Sequence, residues 1–264
     1  MKNLSANVIS EFTSNGVPVS STGYTPSGFA ANNVSAGIAF DSTSNLWVTT
    51  GNQSIMEVFG SGGSIGQLEG GPYKGGGQLN GTWLAVDSSG FIWTTKGNHT
   101  VSKFNNSGTS QLGASGSTVS NINQSSWLSF GASGNPWVVD NDGTGVAEVN
   151  ASTGATITSD TSGVGGVSFA FTVQVDPAGS IWTANAGANS INQLSINGTT
   201  ITGDSPSAGY IDPNLDTGVS MLSLPLDGSG NAWGVDSDSF LIQWIGIPAP
   251  QSMAVTPSTY ATLP

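Results

Sequence analysis

Hydrophobic and polar positions alternate along most of the chain, in short runs separated by turn-forming residues. Five segments of this kind align with one another, beginning at Ile38, Leu84, Leu128, Val173 and Leu224. In each segment an apolar run ends in a turn rich in Asp, Ser and Gly, and a second apolar run with a tryptophan follows. A period of two, bounded by such turns, is typical of β-hairpins, and no sustained helical period is present.

Five aligned tryptophans give the repeat its length. They are spaced by 44 to 51 residues and are Trp47, Trp93, Trp137, Trp182 and Trp233. A third run and a weaker fourth run follow most of them. A period in the mid-forties with several strands per period predicts an all-β, single-domain β-propeller of four-stranded antiparallel blades, here 1–264. We interpret the five tryptophans as packing residues between blades rather than as ligand-binding residues.

The two ends of the chain indicate how the ring closes. Residues 8–12 match a third strand and 17–20 a fourth, so 1–23 are predicted to form a half blade that lacks its first two strands. The tail, 248–264, would supply them and close the ring, which leaves no free sheet edge and favours six blades. Five blades is the alternative, because the stretch after residue 245 leaves no room for a fourth strand in the last repeat.

Composition narrows the classes of function. The 264 residues carry a net charge of −12, with four lysines and no arginine, so the chain cannot neutralise a phosphate backbone and nucleic-acid binding is not expected. The absence of cysteine excludes disulfides and Cys-ligated metals. No apolar run has the roughly 18 residues of a membrane span, so membrane insertion is not expected. Low charge with abundant Asn, Ser, Thr and Gly favours a secreted or cell-surface protein whose export signal lies outside this sequence.

The repeat also resembles a known family. The pattern Gly-Ile-Ala-Phe-Asp-x-x-x-Asn-Leu-Trp-Val at 37–48, followed by Gly-Asn at 51–52 and again at 97–98, is similar to the NHL repeat and to propellers of the streptogramin-lyase type. The resemblance covers about 8–247. It implies the propeller fold, but it does not fix a function, because NHL-like propellers include RNA-binding platforms, protein-binding discs, lyases and hydrolases.

The catalytic features that the resemblance implies are largely missing. Streptogramin-lyase relatives use histidine and acidic residues around a magnesium ion, whereas this chain has one histidine, His99. Lactonase relatives use Glu, Asn and Asp that converge on the central axis, and no Glu or Asn departs from the repeat at such a position. RNA-binding relatives have a basic face, whereas this chain has only four lysines and no arginine. We therefore predict no catalytic residues, and a metal-dependent lyase or lactonase in the central channel is the alternative.

Aromatic residues are the first candidates for ligand binding. They fall on the top rim, which we define as the loops after second strands and before first strands. Trp83 and Trp127 directly precede first strands, where Gly37 stands in another repeat; Tyr24, Tyr73 and Tyr210 lie in Gly-rich loops. Exposed aromatic rings among polar residues can stack on sugars. The competing interpretation is that these rings cover the tops of the blades and hold the loops in place. His99, beside Lys96 and Asn98, is a weaker candidate that fills the Asn-His position of its blade.

Acidic loops are the second candidates. Equivalent top-rim positions in two repeats carry Asp140, Asp142, Asp236 and Asp238. Alternating carboxylates can collect oxygen ligands around Ca²⁺, the one cofactor that these loops suggest. A solvated polar turn is the favoured interpretation, so no cofactor is expected.

Taken together, these patterns favour a non-enzymatic extracellular propeller. Its partner on the top rim would be a carbohydrate or a protein. A structural role is the variant, in which unpaired strands at the chain ends are completed by another copy, so that the protein self-assembles.

Overall fold

A computed structural model describes residues 2–3, 8–26, 37–50, 54–58, 60, 67–74, 76, 81–186, 190–211, 221–236 and 241–244. Within these ranges the chain is all-β, with one short 3-10 turn at Val164–Gly166 and no α-helix. Each of the five repeats forms its own antiparallel sheet. The described residues include no helix with the length and apolar character that crossing a membrane requires.

The strands follow the repeat closely. Ahead of the first repeat, β1 (Lys2–Asn3) pairs with β2 (Val8–Ile9). Blade 1 contains β3 (Ile38–Phe40), β4 (Leu46–Thr50), β5 (Ser54–Val58) and β6 (Leu68–Lys74). Blade 2 contains β7 (Gly81–Val86), β8 (Ile92–Lys96), β9 (Thr100–Phe104) and β10 (Ser117–Thr118). Blade 3 contains β11 (Ser125–Phe130), β12 (Pro136–Asp140), β13 (Val146–Val149) and β14 (Thr156–Asp160).

The last two blades depart slightly from four strands. Blade 4 contains β15 (Ala170–Val175), β16 (Ile181–Asn185), β17 (Ser190–Asn197), β18 (Thr200–Gly203) and β19 (Tyr210–Ile211). Its fourth strand is split, because β18 and β19 both pair with β17. Blade 5 contains β20 (Met221–Ser223), β21 (Ala232–Asp236) and β22 (Leu241–Trp244) within the described residues.

Contacts between blades show how the sheets are arranged. The first strand of each blade contacts the first strand of the next, from β3 through β7, β11 and β15 to β20. First strands therefore lie innermost and fourth strands lie at the outer edge, which is the arrangement of a propeller. The predicted fold class is confirmed. The turns that join first to second strands define the bottom rim, opposite the top rim.

Tryptophans fill the space between blades, as the sequence predicts. Four of the five aligned indoles, those of Trp47, Trp93, Trp137 and Trp182, are at most 4% exposed. Each lies in an apolar cluster that joins its own blade to the next. Burial of so large a ring contributes a few kcal/mol per blade, in the range of about 3–5 kcal/mol measured on truncation to alanine.

A repeated aspartate fixes each of these rings. In blade 4, Trp182 donates its Nε1 hydrogen to Asp176 Oδ2 at 3.0 Å, and Oδ1 accepts the backbone N–H groups of Ala178 and Ser180 at 2.9 Å. The same arrangement joins Trp47 to Asp41, Trp93 to Asp87 and Trp233 to Asp227. One carboxylate therefore closes the bottom-rim turn and holds the ring in place.

The electrostatics of this motif are visible at Asp227. Partial burial alone would raise the pKa of its carboxyl group. Hydrogen bonds from Trp233, from Asn231 and from the backbone of Ser229 outweigh that effect and lower the pKa to about 2. The carboxylate is thus ionised at neutral pH, which is the form that accepts all of these bonds.

Blade 3 lacks this carboxylate, which leads to a prediction. Gly131 takes the aspartate position in the same backbone turn, and an added Cβ would lie 3.4 Å from Trp137 Nε1 without a clash. We expect Gly131→Asp to raise the free energy of unfolding by about 1–2 kcal/mol, through new hydrogen bonds and lower unfolded-state entropy. Urea unfolding measures the change. Ala132→Asp adds the same charge one residue further along the turn, and an equal gain there would contradict the explanation.

The N-terminal strands support a partial further blade. Ile9 bridges Tyr24 and Phe12 bridges Pro18, as expected of third and fourth strands. The prediction that the first two strands are absent here was incomplete, since Lys2–Asn3 pair with Val8–Ile9 in the place of a second strand. The tail, 248–264, lies outside the described residues. Closure by that tail, a total of six blades and a single domain over 1–264 therefore stay predictions.

Candidate functional site

Two tryptophans form an aromatic platform on the top rim near the axis. Trp83 in β7 and Trp127 in β11 lie at bulges in the innermost strands of neighbouring blades. Their rings stack with an interplanar angle of 18°, and both side chains are half-buried. Each packs on one side against an interblade apolar cluster. Each ring therefore has packing partners, and part of each side chain stays exposed to solvent.

Hydrogen bonds hold the platform at its base. The Thr95 hydroxyl accepts the backbone N–H of Trp83 at 3.1 Å and donates to the carbonyl oxygen of Ser126 at 2.8 Å. A single buried side chain thus ties the bulge of blade 2 to that of blade 3. The hydrogen bonds therefore hold the backbones that carry the two rings in a fixed relation to each other.

Blade 1 cannot carry a third ring of this kind. At Gly37, which matches Trp83 and Trp127, a Cβ would lie 2.6 Å from the backbone nitrogen of Leu84 and 2.8 Å from the carbonyl carbon of Trp83. The backbones of blades 1 and 2 therefore approach too closely for any side chain. Thr172 and Ser223 take the position in blades 4 and 5, so the aromatic pair is confined to blades 2 and 3.

Phe169 is a further aromatic residue on the top rim, which the repeat pattern does not predict. It lies in the loop before β15, is 46% exposed, and has a positive φ of 49°. Hydrogen bonds from its N–H to the Gly143 carbonyl and from the Ala186 N–H to its own carbonyl hold it there. A bulky residue in this backbone region is strained, and such strain concentrates at functional sites. Its apolar run resembles an ordinary strand, so no feature of the sequence marks it.

The three predicted tyrosines lie elsewhere. Tyr73 stacks on Trp47 and Tyr210 on Trp182, in fourth-strand positions at the outer edges of blades 1 and 4. Tyr24 packs on the apolar cluster beside blade 1 and donates its hydroxyl hydrogen to Glu11 at 3.2 Å. Desolvation, with the hydrogen bond and charge of Glu11, raises the Tyr24 pKa. All three rings have packing partners, and their role in ligand binding stays a prediction.

The group around His99 does not converge. The His99 side chain is exposed on the top-rim loop of blade 2. Lys96 is only 1% exposed, its Nζ donates to the Ser115 carbonyl at 3.3 Å, and burial lowers its pKa to about 8. Asn98 accepts hydrogen bonds from the N–H and hydroxyl of Thr100. A role for His99 in ligand binding stays a prediction.

Asp140 serves as a backbone acceptor. Its carboxylate is 2% exposed and accepts the N–H groups of Asn123, Gln124 and Asp142 at 2.9–3.0 Å, which fixes the loop leading into blade 3. Asp142 itself is exposed. The Asp236 side chain and Asp238 lie outside the described residues. Within the described part of the chain, no three His, Asp or Glu side chains are grouped as metal ligands. Calcium binding by these loops stays a prediction.

The bottom rim holds a groove that the sequence did not reveal. Between blades 1 and 2 lies a cavity of about 460 Å³, lined by polar turns, by Phe91 and by the carboxyl groups of Asp41, Glu57 and Glu69. Burial raises the pKa of Glu57; a hydrogen bond from Asn45 opposes this shift, and the charges of Glu69 and Asp41 add to it. Three carboxyl groups around one cavity make this groove acidic.

Comparison with known proteins supports the fold. No protein-family model matches the chain, and no curated protein matches it. Among solved structures, virginiamycin B lyase from Staphylococcus aureus is similar, with 14% identity and a TM-score of 0.56 over 82% of this chain and 71% of that one. A catalytically inactive variant of that lyase with quinupristin gives 16% identity and a TM-score of 0.58 over the same shares.

A second kind of neighbour is an extracellular domain. That of BT4673 from B. thetaiotaomicron is 12% identical, with a TM-score of 0.52 over 81% of this chain and 31% of that one. These values define the class of protein as a β-propeller. Within that class the resemblance to streptogramin-lyase-type propellers is confirmed at the level of fold. Identity this low transfers no activity.

Proposed function

We propose that this chain is a non-enzymatic, extracellular binding propeller that holds a carbohydrate on Trp83 and Trp127. The observation that carries the proposal is the stacked, half-buried indole pair, which is fixed at its base and faces the top rim. Loops on that rim carry ligands in many propellers because they vary over a rigid scaffold. Phe169 would extend the apolar surface towards blade 4.

The surroundings favour a sugar over other small ligands. Partly exposed aromatic rings can stack on the C–H faces of pyranose rings, and Asn, Ser and Thr side chains, which are abundant in this chain, can bond to the hydroxyls. A net charge of −12 opposes acidic polysaccharides, so we expect a neutral glycan. An extracellular location draws support from the composition and from the likeness to an extracellular domain.

The platform gives a direct mutational test. We expect Trp127→Thr to weaken glycan binding at least tenfold, which corresponds to about 1.4 kcal/mol, because one stacking face is lost. Threonine is the residue that blade 4 carries at this position, so the fold should be retained. Fluorescence or calorimetric titration with a hit from a glycan array measures the change. Phe40→Ala removes an aromatic ring that is 64% exposed at the bottom-rim end of β3, and equal weakening there would contradict the proposal.

The alternative is a metal-dependent lyase or lactonase in the central channel, which the likeness to virginiamycin B lyase favours at the level of fold. The two hypotheses differ in their need for metal. A binder with an aromatic platform keeps its ligand in EDTA, whereas a metal-dependent lyase loses turnover of its substrate there.

A further inference from the structure

The third strand of every blade places a long polar residue opposite the core tryptophan. Strand pairing sets Glu57 opposite Trp47, Lys103 opposite Trp93, Glu148 opposite Trp137, Gln193 opposite Trp182 and Gln243 opposite Trp233. Two of them border bottom-rim grooves between blades: Glu57 lines the cavity between blades 1 and 2, and Lys103 reaches from blade 2 to blade 3. The charge at this position differs from blade to blade, so equivalent grooves have different chemistry.

Between blades 2 and 3 the protein's own ammonium group fills the groove. Lys103 Nζ donates to the carbonyl oxygen of Ala151 in blade 3 at 2.8 Å and lies 4.1 Å from the centre of the Phe91 ring. It lies 5.1 Å from the Trp93 ring and 4.0 Å from Asp87 Oδ2. A carbonyl, a carboxylate and aromatic faces are favourable surroundings for a cation.

Between blades 1 and 2 that ammonium is missing. Asp41 and Asn106 occupy the places of Asp87 and Ala151, but Glu57 replaces Lys103. The shorter side chain leaves the cavity of about 460 Å³. Glu57 is only 9% exposed. Its Oε1 accepts a hydrogen bond from Asn45 Nδ2 at 3.2 Å, whereas its Oε2 accepts none from the described residues.

The charge of this groove is correspondingly unbalanced. Asp41, Glu57 and Glu69 line it, and no lysine is among its described lining residues. Asp41 is already engaged, because its oxygens accept hydrogen bonds from the turn and from Trp47. The acceptors left for a ligand are therefore the second oxygen of Glu57, the carboxylate of Glu69 and the exposed turn at Asn106.

We propose that the groove between blades 1 and 2 binds the protonated primary amine of a small ligand, in the place that Lys103 fills one blade further on. The volume accommodates a ring or short chain attached to the ammonium group, as in an amino sugar or a lysyl side chain. The groove lies on the rim opposite Trp83 and Trp127, so the proposal does not depend on the carbohydrate platform.

Ligand-detected NMR at low ionic strength tests the proposal. The probes are n-butylammonium, glucosamine and Nα-acetyl-lysinamide, with 1-butanol as the uncharged reference. We expect the ammonium compounds to bind and 1-butanol not to bind. Stronger binding of glucosamine would identify an amino sugar, and stronger binding of the lysine derivative would identify a lysyl side chain. Failure of all three ammonium compounds to bind would overturn the proposal.

Variants separate this groove from general attraction to an acidic protein. Glu57→Gln keeps the size of the side chain and should weaken amine binding at least tenfold. Glu57→Lys copies blade 2; it should abolish binding and raise the thermal midpoint, because the new ammonium fills the groove. Asp204→Asn removes an exposed charge on blade 4 and should leave binding unchanged. Equal weakening in Glu57→Gln and Asp204→Asn, with near-native circular dichroism, would overturn the proposal.

Discussion

Replacing Asp176 with alanine is expected to lower the free energy of unfolding by about 3–5 kcal/mol. The carboxylate is 4% exposed and accepts the N–H groups of Ala178 and Ser180 and the indole N–H of Trp182. Alanine would leave these donors without their acceptor and would free a ring that joins blade 4 to blade 5. Urea unfolding at pH 7, followed by tryptophan fluorescence, measures the loss.

An amide at the same position is the matched control. Asp176→Asn retains one oxygen that can accept the two backbone hydrogens, but it presents an NH₂ group to Trp182 Nε1. We therefore expect a smaller loss of about 1–2 kcal/mol. Equal stability of wild type and Asp176→Ala would show that the repeated Asp–Trp pair does not stabilise the blades.

The second large effect is expected at Gly37. Gly37→Ala should lower the free energy of unfolding by about 2–3 kcal/mol, because the Cβ would press on the backbone of Leu84 and Trp83 in the next blade. Backbone atoms cannot move aside as a flexible side chain can. Thermal and urea unfolding both report the change.

Gly228→Ala is the control for this effect. An added Cβ at Gly228 meets no atom within 4 Å, so its stability should differ little from that of the wild type. A similar loss in both variants would point to a general requirement for glycine rather than to close approach of blades 1 and 2. An unchanged Gly37→Ala variant would contradict the packing described here.

The features visible in the sequence are those that recur locally. The aspartate and the tryptophan lie six residues apart in the same hairpin, and the pair is visible in four of the five repeats. The interpretation of Trp47, Trp93, Trp137 and Trp182 as packing residues is confirmed by their burial. The spacing of these indoles likewise predicted the blades. The sequence indicates only that Trp83 and Trp127 lie on the top rim. It does not indicate that they stack on each other, because 44 sequence positions separate the two rings.

Features that depend on contacts between blades were not predictable. The repeat alignment sets Glu57 at the place of Lys103, but it does not show that Lys103 reaches Ala151 across a blade boundary. The hydrogen bonds of Asp140 were not predictable either. Two of its three backbone donors, Asn123 and Gln124, lie in the loop that precedes blade 3, and no repeat pattern links that loop to Asp140. Alternation of apolar and polar residues specifies strands and faces, but it does not specify which polar group meets which.

The most direct test of carbohydrate binding is hydrogen–deuterium exchange with and without a bound neutral oligosaccharide. We expect slower exchange in peptides covering β7 and β11 and in the adjoining top-rim loops, and this protection should persist in EDTA and disappear in Trp127→Thr. Protection that avoids β7 and β11, or that requires added metal, would contradict carbohydrate binding on the Trp83–Trp127 platform.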